Sequence, residues 1–199
     1  MSPKAKAAAI AAPDHGGTKA EPYQLVTAML GKLYRAEQLD ALHLSIINLL
    51  DMVMDEELSL VLEQKNKSEA EKLSFLQKVV DSVHSPELHG VLEDAIHRKD
   101  LAFFDEKELG DLLRFLQKEA QQFTIVRLTL ALHFKEHDIW EFAALLSKKI
   151  NKPVVISVKV EKDLIGGAII QFGSYLSDFS IRSQIEIFQE NWHKAVVDA

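Results

Sequence analysis

The chain of 199 residues has no cysteine. Disulfides, thiolate metal sites and a cysteine nucleophile are thereby excluded, and a reducing compartment is the expected setting. It also lacks any run of about eighteen uncharged apolar residues, so no bilayer-spanning helix is expected. Basic residues are few: 23 Lys and Arg stand against 30 Asp and Glu, a net charge of −7. No basic stripe is present, and with it the electrostatic footprint of a nucleic-acid binder is missing. Nucleophile elbow, phosphate-loop and dinucleotide fingerprints are absent too, which leaves the common nucleotide-binding and hydrolase classes without an anchor. What is there is ordinary for a soluble globular protein, with 47% hydrophobic and 27% charged residues, enough for one large domain or two small ones.

Charge divides unevenly. Up to Gln122 there are 14 basic against 21 acidic residues; from Phe123 onward the count is 9 against 9. The opening "MSPKAKAAAIAAPDHGGTKA" has no arginine and an apolar stretch too short for a signal core, so residues 1–21 read as a disordered tail, with a cleaved targeting peptide as the alternative.

From Pro22 to Gln122 apolar residues recur at helical spacing. Leu25, Val26, Met29, Leu30 and Leu33 form a first stripe, with Pro22 suited to a first turn. Leu39, Leu42, Ile46, Leu49, Leu50 and Val53 form a second, and Leu44 and Ile47 widen it enough to predict burial on more than one side. A short acidic helix is expected over Asp55 to Glu63. Ser68 with Glu71 has capping-box spacing ahead of Leu73, Leu76, Val79, Val80 and Val83. Ser85-Pro86 opens a helix carrying Leu88, Val91, Leu92, Ala95 and Ile96. Asp105 with Glu108 repeats the capping pattern before Leu109, Leu112, Leu113 and Leu116. About six helices with short connections predict an antiparallel bundle over 22–122.

At Phe123 the period changes to two. "FTIVRLTLALHF" alternates through Ile125, Val126, Leu128, Leu130 and Leu132. A helical stripe of Ile139, Phe142, Ala143, Leu146 and Ile150 follows, then "VVISVKV", then two short apolar runs about Gly173-Ser174. The last helix carries Ile181, Ile185, Phe188, Trp192 and Val196. Residues 123–199 thus read as a small α/β domain of order β-α-β-β-β-α, and the chain as an α+β protein of two domains.

Few constellations point to chemistry. "HFKEH", His133 to His137, fits the inverted zinc-protease pattern, in which two histidines grip a metal and the glutamate activates water. That pattern needs a helix, and here it falls where a strand gives way to one, which favours solvated turn residues. His84, His89 and His97 are poorly spaced for shared ligation and read as surface histidines. Asp51, Asp55, Glu56 and Glu57 read as a solvated face rather than a cation site. Gly166-Gly167 would suit a phosphate loop only ahead of a helix N-terminus. A strand follows instead, which predicts close backbone approach or a bulge. Gly173-Ser174 has the chemistry of a two-residue hairpin turn, and Asp178 or Ser180 could cap the last helix.

The segment "KPVVISVKVEKDLIGGAIIQFGSYLSDFSIRSQIEIF" resembles the C-terminal signature of the delta subunit of F-type ATP synthases, the family of the mitochondrial oligomycin-sensitivity-conferring protein. The matching elements are Leu164, Ile165, Gly166, Gly167, Gly173, Asp178, Ser180, Ile181 and Arg182, with Phe179 where a small residue is usual. Pro22-Tyr23 and the basic turn at Arg98 add weaker likenesses. The resemblance implies a non-catalytic peripheral-stalk subunit without cofactor or metal, tying the catalytic head to the stator during proton-driven ATP synthesis. It implies that the alpha subunit's N-terminal helix meets the first and fifth helices at Tyr23, Val26, Leu30, Leu88, Val91 and Leu92. It implies, too, that a b-type stalk helix meets Phe188 and Trp192. Neither nucleic acid nor direct bilayer insertion is implied. The place would be peripheral, at the cytoplasmic side of the inner or plasma membrane, and the weak resemblance of the tail to a transit peptide favours a bacterium over an organelle. The alternative from the residues alone is a helical adaptor that binds amphipathic helices of an unrelated complex.

Overall fold

A computed structural model describes residues 20–55 and 57–197. The expected tail lies outside the described residues as far as position 19, and so does Glu56 of the acidic cluster. Ala20 and Glu21 already belong to the first helix. The described chain divides into two compact units, residues 20–33 with 37–123, and residues 34–36 with 124–197.

Among the described residues, six α-helices precede the first strand: α1 Ala20–Leu30, α2 Ala36–Met54, α3 Glu57–Leu62, α4 Glu69–Asp81, α5 Pro86–His97 and α6 Glu106–Ala120. A 3-10 turn, Leu101–Phe104, leads into α6. Local chemistry sets their starts. The Ser68 hydroxyl accepts from the Glu71 amide while the Glu71 carboxylate accepts from the Ser68 amide, so both ends of one turn are satisfied. That contact holds the Glu71 carboxyl below the usual range, chiefly through the Ser68 backbone bond. Ser85 caps α5 with Pro86 in its first turn, and Asp105 accepts from the Lys107 amide at the head of α6.

The stripes then bury. Val26 and Leu30 of α1, Leu42 and Ile46 of α2, Leu76 and Val80 of α4, Leu88 of α5 and Leu113 and Leu116 of α6 are wholly buried. At about 1.5–3 kcal/mol for each fully buried large apolar side chain, this is the main force holding the unit together. Ser45 is buried as well, and is satisfied: its hydroxyl donates to the Ala41 carbonyl and accepts from the amides of His84 and Ser85, both at 3.0 Å.

One expectation fails here. Leu44 and Ile47 are 46% and 49% exposed, so α2 is not buried on more than one side. Leu44 lies about 200° round the helix from Leu42 at about 100° per residue, outside the arc that the buried stripe occupies.

The second unit runs β1 Thr124–Leu130, α7 Glu136–Ile150, β2 Val154–Val160, β3 Ala168–Phe172, β4 Tyr175–Asp178 and α8 Ile181–Val197. The sheet order is β2-β1-β3-β4. β1 and β2 pair in parallel from Thr124↔Val154 to Leu130↔Val160, which requires a crossover, and α7 supplies it. The pairs β1/β3 and β3/β4 are antiparallel. Val126, Leu128 and Leu130 face Ile139 and Ala143 of α7, with Phe142, Leu146 and Ile150 packed around them. β1 stops at Leu130, short of Leu132, which is exposed. α7 ends at Asn151, whose φ of 54° is the left-handed closure that asparagine tolerates.

Residues 34–36 join this unit in a way the sequence does not announce. Arg35 bridges Ile156 in parallel, and the Ile156 amide donates to the Tyr34 carbonyl at 2.8 Å. The outer edge of β2 is thereby covered at that point rather than left open for stray pairing.

Candidate partner surfaces and the glycine strap

The motif from Leu164 to Arg182 closes on itself in space. Leu164 is buried, while Ile165 takes a φ of 65° and points outward, 66% exposed. Gly166 and Gly167 then pass directly beneath the start of α8. A Cβ on Gly166 would lie 2.6 Å from Ile181 Cδ1, and one on Gly167, whose φ is +80°, would overlap the Phe179 carbonyl. The two glycines therefore serve close backbone approach. Their amides do not form an anion cradle, because β3 and not a helix follows.

Hydrogen bonds fasten the approach. The Ile181 amide donates to the Gly166 carbonyl at 3.0 Å, and the Phe179 amide to the Ala168 carbonyl at 2.8 Å. Ser180, 1% exposed, caps α8 by accepting from the Ser183 amide at 3.2 Å. Asp178 acts one step earlier, accepting from the Ser180 amide at 2.8 Å. Ser180, and then Arg182, hold the Asp178 carboxyl below the ordinary carboxylate range. Arg182 itself pairs with Glu186 one turn on, at 3.1 Å. Between β3 and β4, Gly173 takes a φ of +57° and Phe172 pairs Tyr175, a two-residue hairpin with glycine first. Phe179 fits because its side chain, 59% exposed, turns away from the strap.

The zinc-like string has no such convergence. His133 sits in the connection after β1 and His137 on α7, both exposed. The glutamate between them, Glu136, is held by Arg35 through two nitrogens, at 3.1 and 2.5 Å, with the Tyr34 hydroxyl donating at 3.2 Å. His137 pairs with Glu141 at 3.4 Å and stacks on Trp140. Among the described residues no three His, Asp or Glu side chains gather as a metal site. His89 lies 3.6 Å from Glu93, whose carbonyl meets His97 Nδ1; His84 is exposed, its amide bound to the Ser45 hydroxyl.

The expected partner residues separate by burial. Val26, Leu30, Leu88 and Leu92 are between 0 and 1% exposed, so they are core and have no surface to offer a helix laid over α1 and α5. Tyr23 and Val91 are half-buried, Tyr23 edge-on to Phe115 at 5.1 Å. Phe188 and Trp192, by contrast, are 66% and 63% exposed and stack on each other at 6.3 Å. Ile181, Ile185 and Ile187 are exposed on the same helix. α8 packs at its start against the 3-10 turn Lys162–Leu164, leaving this apolar surface open. The period of the stripe is legible in the sequence; its exposure is not.

The described residues thus form a helix-rich unit and a small mixed sheet with one crossover helix, followed by a helix that bears exposed aromatics. The model of the family described as ATP synthase delta (OSCP) subunit matches residues 28–191, and the chain belongs to that family. It is a structural stalk subunit of ATP synthase, not a catalytic one. An ATP synthase subunit delta of Sulfurihydrogenibium sp. is 25% identical over 167 residues, 82% of this chain and 90% of that one. That of Sulfurihydrogenibium azorense is 35% identical over 83 residues, but the match spans only 40% of this chain and 44% of the relative. That of Clostridioides difficile is 23% identical over 136 residues, 68% and 74% of the two chains. A solved mitochondrial ATP synthase hexamer of Toxoplasma gondii contains a chain 12% identical, with 88% of this chain and 97% of that chain covered and a TM-score of 0.35, too low to carry an argument.

Proposed function

We infer that this chain is the link between head and stator in its ATP synthase. In this reading the helical domain, 22–122, receives the N-terminal helix of an alpha subunit, and the α/β domain, 123–199, receives a b-type stalk helix. The observation that carries it is the family match across residues 28–191. Tyr23 and Val91 supply the contact area on α1 and α5, while Val26, Leu30, Leu88 and Leu92 fix the floor beneath them. Phe188 and Trp192 supply the stalk contact, since a large aromatic open to water gains most from burial against a partner. The complex is taken to sit at the cytoplasmic face of a bacterial inner membrane, with this chain peripheral; no described helix is long and apolar enough to cross a membrane.

The test is co-purification from native membranes with a tag on this chain. Alpha and b-type subunits should come down with it, and Phe188→Ala with Trp192→Ala should release the b-type subunit first. Recovery of an unrelated complex, with ATP synthase assembly intact in a deletion strain, favours the adaptor reading instead.

A further inference from the structure

α2 carries a second seam, opposite in character to its buried one. Asp40, Leu44, Ile47, Asp51 and Met54 are all exposed, with Glu37 at its head, and the spacings from Glu37 are three, four, three, four and three. That 3.5-residue repeat is the track another helix follows when it lies along this one. Leu44, Ile47 and Met54 are 46, 49 and 72% exposed, a costly arrangement for a face that only meets water. Acids bracket the apolar pair at both ends. From Ala36 to Gln64 the sequence is rich in Asp and Glu and has no Lys or Arg.

We propose that the outer seam of α2 docks a cationic amphipathic helix, its apolar residues over Leu44 and Ile47 and its Lys or Arg side chains over Glu37, Asp40 and Asp51. Charge selects this occupant. A second copy would set acid against acid in a chain of net charge −7, and an anionic lipid surface would be repelled in the same way. The site is separate from the α1 and α5 contact inferred above and does not depend on that inference.

Fluorescence anisotropy on the full chain tests it, with labelled synthetic peptides of about 18 residues, the length of the seam at about 1.5 Å per residue. One peptide has a Leu stripe with Lys flanks, a second has Glu flanks, and a third scrambles the first. The Leu/Lys peptide is expected to bind at least about tenfold tighter than either control. Leu44→Glu with Ile47→Glu should weaken it by about tenfold or more while the circular dichroism melt is retained. Asp40→Lys with Asp51→Lys, which keeps the apolar pair, should turn the preference toward the Glu peptide. Asp81→Lys with Asp111→Lys, an equal charge change elsewhere, should leave binding in place. Equal affinity for all three peptides, or an equal loss from the Asp81 and Asp111 pair, overturns the proposal. So does flotation with anionic phosphatidylglycerol vesicles, or self-association in sedimentation, that Leu44→Glu with Ile47→Glu abolishes.

Discussion

Arg35 and Glu136 stand 101 positions apart in the chain and meet fork to carboxylate, with the Arg35 nitrogens donating at 3.1 and 2.5 Å. Two parallel charge-assisted bonds fix orientation as well as distance. The pair pins the head of α7 to the short segment that covers the edge of β2.

Glu136 therefore gives the second unit a pH dependence. Arg35, first by its hydrogen bond and then by its charge, holds the Glu136 carboxyl below the ordinary range, with Tyr34 adding to it. A folded carboxyl that titrates below its unfolded value stabilises fully above the ordinary range, about 4.3 for glutamate. That contribution is lost as pH falls through the folded value. In urea titrations, Glu136→Gln is expected to lower the midpoint at neutral pH, and the gap from the parent should close in acid. Both tryptophans, Trp140 and Trp192, lie within 124–197, so their fluorescence reports this unit alone.

The glycines of the strap should rank by geometry. Gly167→Ala meets both a φ of +80° and the Phe179 carbonyl, and backbone strain alone is about 1–3 kcal/mol. Gly173→Ala has a φ of +57° but open space around it, so about 1–2 kcal/mol of strain is the whole cost. Tryptophan-monitored unfolding should show the larger loss at Gly167; the reverse order would remove the close-approach account.

Ser180→Ala removes the cap of α8 and should cost about 1 kcal/mol. Asp178→Ala removes the acceptor for the Ser180 amide, so a smaller loss is expected there, full above the ordinary carboxylate range and fading as pH falls through the lowered folded value. Hydrogen exchange in the first turn of α8 should quicken in both variants, and unchanged protection would contradict the capping roles.

Core and ledge should separate cleanly. Leu30→Ala or Leu88→Ala should destabilise the helical unit by about 2–5 kcal/mol, and any loss of alpha-subunit capture should track that unfolding. Phe188→Ala and Trp192→Ala should shift stability by no more than about 0.5 kcal/mol while b-type capture falls. Thermal melts run beside pull-downs distinguish the two behaviours.

Much of this is legible because it is local. Ser68 with Glu71 and Gly173-Ser174 are short patterns whose chemistry permits few backbone outcomes. The order Leu164 to Arg182 points to the family even where the reason for its glycines is not visible. What is not legible is long-range. Periodicity marks Leu44 and Ile47 as apolar but does not say how many neighbours α2 has, and it cannot separate buried Leu88 from exposed Phe188. The union of Arg35 with Glu136 and Ile156 leaves no trace in either segment, since strand pairing across such a separation depends on the whole fold.

The latch between the Gly166 carbonyl and the Ile181 amide has a mechanical consequence. Trp192 lies eleven residues along α8 from Ile181, about 16 Å at about 1.5 Å per residue. A sideways load on that aromatic ledge acts on a cantilever, with its fulcrum at the strap. The narrow fit of the two glycines shortens the play at the root of the beam. A bulkier residue there would loosen the anchorage of the arm without touching its tip.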